Sequence, residues 1–314
     1  MSTAPAATGS GGRATAARPR AARYLRPWWR GRTAVALAFL LPSLVALTLL
    51  RLLPGASAVW GSLHHTSLLS GEAFVGLANY ADLFANADFR NALGVTLLFT
   101  LVVNPLQVAV SVGLAVLYTR RRMAGGKVWR ALVILPVATP PAVSAVIWSV
   151  IFRPEGGLAN ALLAAVGLPP QGYLTSPDQA LASIIVLLSW IGVGYWMLFL
   201  IAGINDIPAE LYEAAELDGA SPLRAFLHVT LPMLRRPLSF VLVAATVSNL
   251  LVFAPVQILT GGGPEGSTNL LMFDIYNRAY ALGDMGRAQA EVVVLVAVTI
   301  VIVAVQFRML RSED

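Results

Sequence analysis

The stretch "ELYEAAELDGASPLRAFLHVTLPML" occupies residues 210–234. Four acids fall within nine positions there, Glu210, Glu213, Glu216 and Asp218, yet the 314-residue chain is 57% hydrophobic and only 12% charged. Runs apolar enough for lipid flank it, at 180–204 and 237–259. Asp206 and Pro208 are helix-start signals, and helical pitch sets Glu210, Glu213 and Glu216 on one side with Leu211, Ala214 and Ala215 on the other. Gly219 stops this helix, and Ser221 and Pro222 are N-cap and first residue of a second that runs to Leu231 and Pro232. Acids three residues apart repel, and Asp218 lies at the end where the helix dipole disfavours an anion. Local rules broken in this way mark functional sites. From the residues alone two readings stay open: a solvated loop helix kept off the anionic membrane surface by its acids, or a knob that docks in a partner's cleft.

Soluble domains normally carry about 25% charged residues, so the composition excludes one and specifies an integral membrane protein. Cysteine is absent, which removes disulfides, a thiolate nucleophile and cysteine metal sites. The formal net charge is +6, but the arginines sit beside apolar runs, not in an aromatic-interleaved patch. Membrane orientation accounts for them, and no nucleic-acid partner is expected.

Residues 1–32 are small, polar and basic, with seven arginines from Arg13 to Arg32, and read as a disordered cytoplasmic tail. Six apolar runs follow, at 33–53, 92–118, 128–152, 180–204, 237–259 and 288–307. Each approaches the ~20 residues that cross a hydrocarbon core. A cleaved signal peptide is the rival reading of the first, since Ala56–Ala58 resembles a cleavage site, but the run exceeds the usual ~7–15-residue apolar region. The tail, then Arg120, Arg121, Arg122, Lys127 and Arg130, then Arg224, Arg235 and Arg236, then Arg308 and Arg311 place 17 cations on one side. Arg51, Arg90, Arg153, Arg278 and Arg287 place five on the other. That alternation predicts an all-α six-span domain over 33–308, with both termini and a short tail at 309–314 in the cytoplasm, together with the loop at 205–236.

Pro136, Pro140 and Pro141 predict a third span kinked and buried among neighbours, because lipid cannot replace the missing donors. Gly192, Gly194 and Gly203 permit close helix approach in the fourth. Segments 54–91 and 153–179 read as short amphipathic lids.

At "EAAELDG" (213–219), with Leu231–Pro232 at the matching offset and Val229 where isoleucine is commonest, the chain resembles the permease subunits of binding-protein-dependent ABC importers. "LTGGGPEGST" (259–268), "IYNRAY" (275–280) and "GLANYADLF" (76–84) resemble the carbohydrate branch, in particular the first permease subunit of maltose and glycerol-3-phosphate importers. The resemblance covers 33 to about 308 and implies the type I importer permease fold in a bacterial inner or plasma membrane. It assigns Glu213, Ala214, Ala215, Asp218, Gly219, Leu231 and Pro232 to a coupling helix gripped by a cytoplasmic ATPase. It further implies a second, different permease subunit, two ATPase subunits that bind ATP and Mg, and an extracytoplasmic substrate-binding protein. Gly261, Gly262, Gly263 and Pro264 would form a loop at the outer end of span five.

No run has a central ionisable residue; Arg51 and Glu291 lie toward ends. This disfavours an ion-coupled transporter and favours an uncharged solute over a phosphorylated one. Asn104, Gln107 and Ser111 share a face of span two, while Asn249, Phe253 and Gln257 recur at four-residue intervals on span five. Amides suit sugar hydroxyls and a ring suits sugar C–H groups, so Asn104, Gln107, Asn249, Phe253 and Gln257 are the candidate substrate pathway. Interhelical hydrogen bonding is the competing role. Trp148, Trp190 and Trp196 either stack on sugar or pack on one another. His64 and His65 are adjacent and point apart, with no further ligand near, so no metal is expected. Gly125–Trp129 carries a Gly-Lys pair without the other residues of a phosphate loop, so nucleotide falls to another chain and no catalytic residue is expected in this one. A membrane-embedded glycosyltransferase, using the acids as base and metal ligands, lacks a basic or aromatic pocket around them. The particular sugar, or glycerol-3-phosphate or a glycerophosphodiester in its place, is not written in the residues.

Overall fold

The structure is a computed structural model that describes residues 32–67, 71–119 and 126–311. The tail expected over 1–32, save Arg32, and the Arg120–Arg122 cluster lie outside the described residues, as do residues 312–314. The chain divides at Pro54 and Gly55 into two compact units. In the first, α1 (Arg32–Leu47) runs into a π-helical turn at Thr48–Leu52. The stretch Val35–Gly61 is helical and long and apolar enough to cross a membrane, about two turns beyond the expected run.

α2 (Leu53–Gly61) begins in the first unit, and in the second it leads to a hairpin of β1 (His64–Ser67) and β2 (Gly71–Phe74), antiparallel with His64 opposite Phe74. Among the described residues this hairpin is the one sheet in a mostly helical fold. It is tied to α3 (Ala78–Ala85), whose buried Asn79 donates to the carbonyls of Ser62 (2.8 Å) and His64 (2.9 Å). His64 is buried and His65 exposed, as alternation along a strand requires. Asn86 then caps α4 (Ala87–Thr119), its Oδ1 accepting from the backbone of Asp88 and Phe89.

After α5 (Gly126–Ile134), a 3₁₀ turn at Leu135–Ala138 and α6 (Pro141–Ile151) break the third span with a bend of 113°. The prolines produce the kink, but only one side of it is covered. Pro136, Ser144 and Ala145 are buried, whereas Val143, Val146, Ile147 and Val150 are exposed, so within this chain the span is buried among neighbours on one face. A short α7 (Leu158–Ala165) is held by Asn160, which donates to the carbonyls of Pro154 and Gln171 and accepts from the Gln171 amide.

The bundle centres on α4 and α8 (Pro177–Asn205). A Cβ on Gly192 would stand 2.9 Å from Gln107 of α4, and one on Gly203 would stand 2.7 Å from the Pro237 ring, so these glycines do set helix contact distances. Next come α9 (Ala209–Leu217), α10 (Pro222–Ala225), a π-helical turn at Phe226–Thr230, α11 (Leu231–Met233) and α12 (Arg235–Leu250). The limbs Pro222–Met233 and Arg235–Leu250 meet at 69°. The chain closes through α13 (Ala254–Leu259), α14 (Leu271–Tyr276), a π-helical turn at Asn277–Ala281 and α15 (Met285–Arg311), which carries helix past the expected boundary at 308. Among the described residues four helices can cross a membrane unbroken, and six spans result when each bent pair counts as one.

The expected fifth span, 237–259, is not one helix. Pro255 cannot donate to the Leu251 carbonyl and its ring crowds that oxygen, so α12 ends at Leu250 and Phe253 leaves the helical region (φ −130°) before α13 restarts. Asn249, Phe253 and Gln257 therefore do not share a helix face. Three apolar clusters hold the unit: Val112, Trp196, Leu200, Leu234 and Val241 near one end of α4; Phe99, Val103, Ile184 and Val256 midway; and Phe89, Leu83, Leu250 and Leu271 near its start.

Candidate functional site

The acidic stretch folds as an elbow. Past the last turn of α9, Asp218 is the C-cap and Gly219 adopts φ +72°. The Ala220 amide returns to the Ala215 carbonyl (2.9 Å) and the Gly219 amide to Glu216 (3.0 Å), the paired bonds that end a helix through a left-handed glycine. Ser221 caps the second leg, accepting from the Arg224 amide at 3.4 Å, with Pro222 as its first residue. The inward face is rotated from the expected one. Tyr212 and Ala215 are half-buried, while Leu211 and Ala214 are exposed, because the Tyr212 hydroxyl reaches across the elbow to Thr230 Oγ1 (3.0 Å). Glu210, Glu213, Glu216 and Asp218 point to solvent, and among them stands Leu217, 89% exposed. Leu231 is half-buried and Pro232 exposed at the foot of the second leg. A cavity of about 600 Å³ under the elbow is lined by Val116 and Thr119 of α4 together with Tyr212, Phe226 and Thr230.

At the other end of α4, Asn91 donates to the Gly266 carbonyl (2.9 Å) in the loop after α13. About 42 Å of helix separates Asn91 from Thr119 at 1.5 Å per residue, so the glycine loop and the elbow lie at opposite ends of the bundle. Gly261, Gly262 and Gly266 have positive φ (57°, 85° and 71°), and Thr268 Oγ1 closes the loop on the Gly263 carbonyl (2.7 Å) beyond Pro264. At Gly262 two demands coincide, since an added Cβ would also stand 2.6 Å from the Phe273 ring.

Midway between, the polar residues of the expected pathway come together. Asn249 Nδ2 donates to Asn104 Oδ1 (2.7 Å) and Gln107 Oε1 (3.0 Å). Asn104 Nδ2 donates to Thr246 Oγ1 (2.8 Å), Gln107 Nε2 to the Leu188 carbonyl (2.9 Å), and Ser111 to the Val193 carbonyl (3.1 Å). Gln306 of α15 also donates to Thr246 (2.8 Å), drawing in a fourth helix. Asn104, Gln107 and Asn249 are no more than 6% exposed, so in this conformation the amides serve one another. Phe253 packs on Tyr276 (4.5 Å between centroids) and Gln257 is exposed on α13, apart from the amide cluster. Trp148 and Trp190 pack on each other (5.7 Å). Sequence reasoning missed Thr246 and Gln306; polar residues within apolar runs were the available signal.

Replacing Asn249 with Leu removes two donations and strands two buried acceptors. Soluble proteins lose about 1–3 kcal/mol per stranded group. Interhelical bonds in membranes average nearer ~0.6 kcal/mol, so a loss of about 1–2 kcal/mol is expected, read as a lower unfolding midpoint in a denaturing detergent titration.

A buried ionic staple was also missed. Arg278 Nε donates to Glu291 Oε1 (2.6 Å) and its Nη2 to Asp274 Oδ2 (3.3 Å), with all three residues no more than 7% exposed. Burial disfavours the Arg278 charge, and the nearby Glu291 and Asp274 carboxylates outweigh that, leaving its pKa above the ordinary arginine value. Arg287 links Asp82 of α3 (2.6 Å) to Asp284 (3.1 Å) nearby.

Four unbroken apolar helices and two bent pairs among the described residues, with an acidic elbow and a glycine loop at opposite ends of α4, are those of a multi-pass membrane subunit. Residues 107–311 match the family model of binding-protein-dependent transport system inner membrane components, and the chain belongs to that family. It is 35% identical over 255 residues to the trehalose/maltose transport system permease protein MalF of Thermococcus litoralis, covering 80% of this chain and 85% of that one. To the sn-glycerol-3-phosphate transport system permease protein UgpA of Yersinia enterocolitica it is 33% identical, covering 87% and 92%. A bacterial alginate ABC transporter, crystallised with its alginate pentasaccharide-bound periplasmic protein, has a chain of the same fold, with a TM-score of 0.80, 22% identity, and coverage of 90% and 96%.

Proposed function

We propose that this chain is one of two different permease subunits of an ATP-driven sugar importer, with its elbow as the contact for a cytoplasmic ATPase. The observation that carries the reading is the elbow itself: a stiffly capped turn that exposes Leu217 among four acids at one end of α4. Acids keep it off an anionic membrane surface, Leu217 and Ala214 offer a small apolar contact, and the bond from Tyr212 to Thr230 makes its two legs move together. The sequence alternates cation-rich and cation-poor connections, and the elbow's connection, with Arg224, Arg235 and Arg236, is a rich one, so by the positive-inside rule it is read as cytoplasmic. The glycine loop then faces the extracytoplasmic binding protein that delivers the solute. ATP and Mg belong to two ATPase subunits.

Asn104, Gln107 and Asn249 would meet the solute once the bundle opens, exchanging amide–amide bonds for bonds to sugar hydroxyls, with Phe253 and Gln257 nearer the outer end of the path. Among the described residues the buried cation, Arg278, is already held by two carboxylates, which favours an uncharged sugar over glycerol-3-phosphate. The test is isolation of the chain with its neighbouring gene products. An ATPase should co-purify, and its hydrolysis should rise when sugar-loaded binding protein is added. Uptake driven by a proton gradient without nucleotide would overturn the proposal.

A further inference from the structure

We propose that α7 lies in the boundary layer of the bilayer at the glycine-loop end of the bundle, with one flank immersed in lipid. The broken third span ends at Ile151 and α8 begins at Pro177, so the connection that carries α7 joins two span ends and stays at their level. That end is remote from the elbow, because α8 reaches the elbow only past Asn205, and α6 packs on α13, the helix before the glycine loop. A run of rings marks the same level: Trp148 packs on Phe152 (5.0 Å) and Phe152 on Tyr173 (5.0 Å), and aromatic residues gather where membrane meets water. Residues 156–177 contain no Asp, Glu, Lys, Arg or His, whereas soluble domains carry about 25% charged residues. The polar side chains of this connection are spent within it. Asn160 binds the Pro154 and Gln171 backbone, and Gln179 accepts from the Tyr173 amide (2.8 Å) and donates to Gln171 Oε1 (2.7 Å). What α7 leaves outside is apolar. Leu158, Leu162 and Val166 are 56%, 62% and 71% exposed, and helical pitch sets them within about 80° of one another. Asn160 and Leu163 turn toward the protein, and the small exposed Ala164 stands about 200° around from Leu162. A leucine flank, a protein-facing base and an alanine flank match the three surroundings of a boundary helix: lipid, protein and water. A soluble partner would bring a polar rim that this connection has no charge to answer, whereas acyl chains need none.

The chain has no cysteine, so one introduced cysteine carries a nitroxide label without background. The variants Leu162→Cys and Ala164→Cys, each isolated with the partner subunits, are reconstituted in phosphatidylcholine vesicles for electron paramagnetic resonance. Two relaxing agents report the surroundings: dissolved oxygen, which concentrates in hydrocarbon, and a neutral nickel chelate, which stays in water. The label at 162 should meet oxygen several-fold more often than the chelate, at a depth of about 5–10 Å below the headgroup boundary. The label at 164 should show the reverse preference. Leu158→Cys should repeat the result at 162, which guards against a single variant that fails to fold. A chelate preference at 158 and 162 would put that flank in water and overturn the proposal. Few collisions with either agent there would show a covering protein partner and overturn it equally, and an oxygen preference at all three positions would deny α7 its place at the boundary. The measurement needs neither nucleotide nor sugar, so it stands or falls separately from ATPase stimulation.

Discussion

Gly219→Pro should abolish ATP-driven uptake while the chain still inserts in the membrane. Gly219 holds φ +72°, and its amide donates to Glu216. Proline fixes φ near −65° and has no amide hydrogen, so it fits neither requirement, and the second leg must leave the Ser221 cap at a new angle. The bond between Tyr212 and Thr230 that ties the legs then breaks. Because the change is confined to an exposed turn, the buried clusters of α4, α8 and α12 keep their packing. The expected loss is roughly 100-fold in uptake by proteoliposomes containing the partner subunits, near the upper end of typical coupling energies. Gly219→Ala, which keeps the amide and pays about 1–2 kcal/mol for a left-handed alanine, should lose much less. Uptake by the proline variant within twofold of the parent would remove the elbow from the coupling path.

Arg278→Met should be the most damaging single change to stability. It leaves Glu291, fully buried, and Asp274, 6% exposed, without their shared cation. Removing one partner of a buried ionic group typically costs about 3–5 kcal/mol, because the groups left behind have lost both water and their partner. The staple joins α14 and the following π-helical turn to α15, so the loss should appear as a lower thermal midpoint of the purified complex and earlier proteolysis between 260 and 284. The double variant Arg278→Met with Glu291→Met should recover part of the loss, since it removes the fully buried carboxyl while Asp274 keeps a hydrogen bond from Asn269 but not its cation. A single variant as stable as the parent would show that the triad adds nothing to the fold.

The elements written most plainly in the residues were those set by local chemistry. The third span breaks where three prolines interrupt it, and Gly219, Ser221 and Pro222 end one helix and start the next as their backbone preferences dictate. The fifth span was misread because continuous apolarity over 237–259 conceals the donor missing at Pro255. The inward face of α9 was set by Tyr212 finding Thr230, a contact between residues 18 apart that helical pitch does not encode. The amides of Asn104, Gln107 and Asn249 were visible as polar residues in apolar runs, but their pairing spans more than 140 residues and depends on how α4 and α12 cross. Glu291 and Arg278 were counted separately, one near a span end and one in a loop; only the fold makes them a pair. The hairpin at His64–Phe74 carried little β-branched signal and is fastened from outside by Asn79.

One long helix, α4, touches the glycine loop at one extremity and the elbow cavity at the other, and Pro105 interrupts its ladder between them. The Leu101 carbonyl has no amide hydrogen from residue 105 to receive, so a rod notched there flexes at the notch before it flexes anywhere else. Asn104 adjoins the notch and Gln107 lies two residues beyond it. Any bend in α4 would therefore fall at the level where the side-chain amides meet.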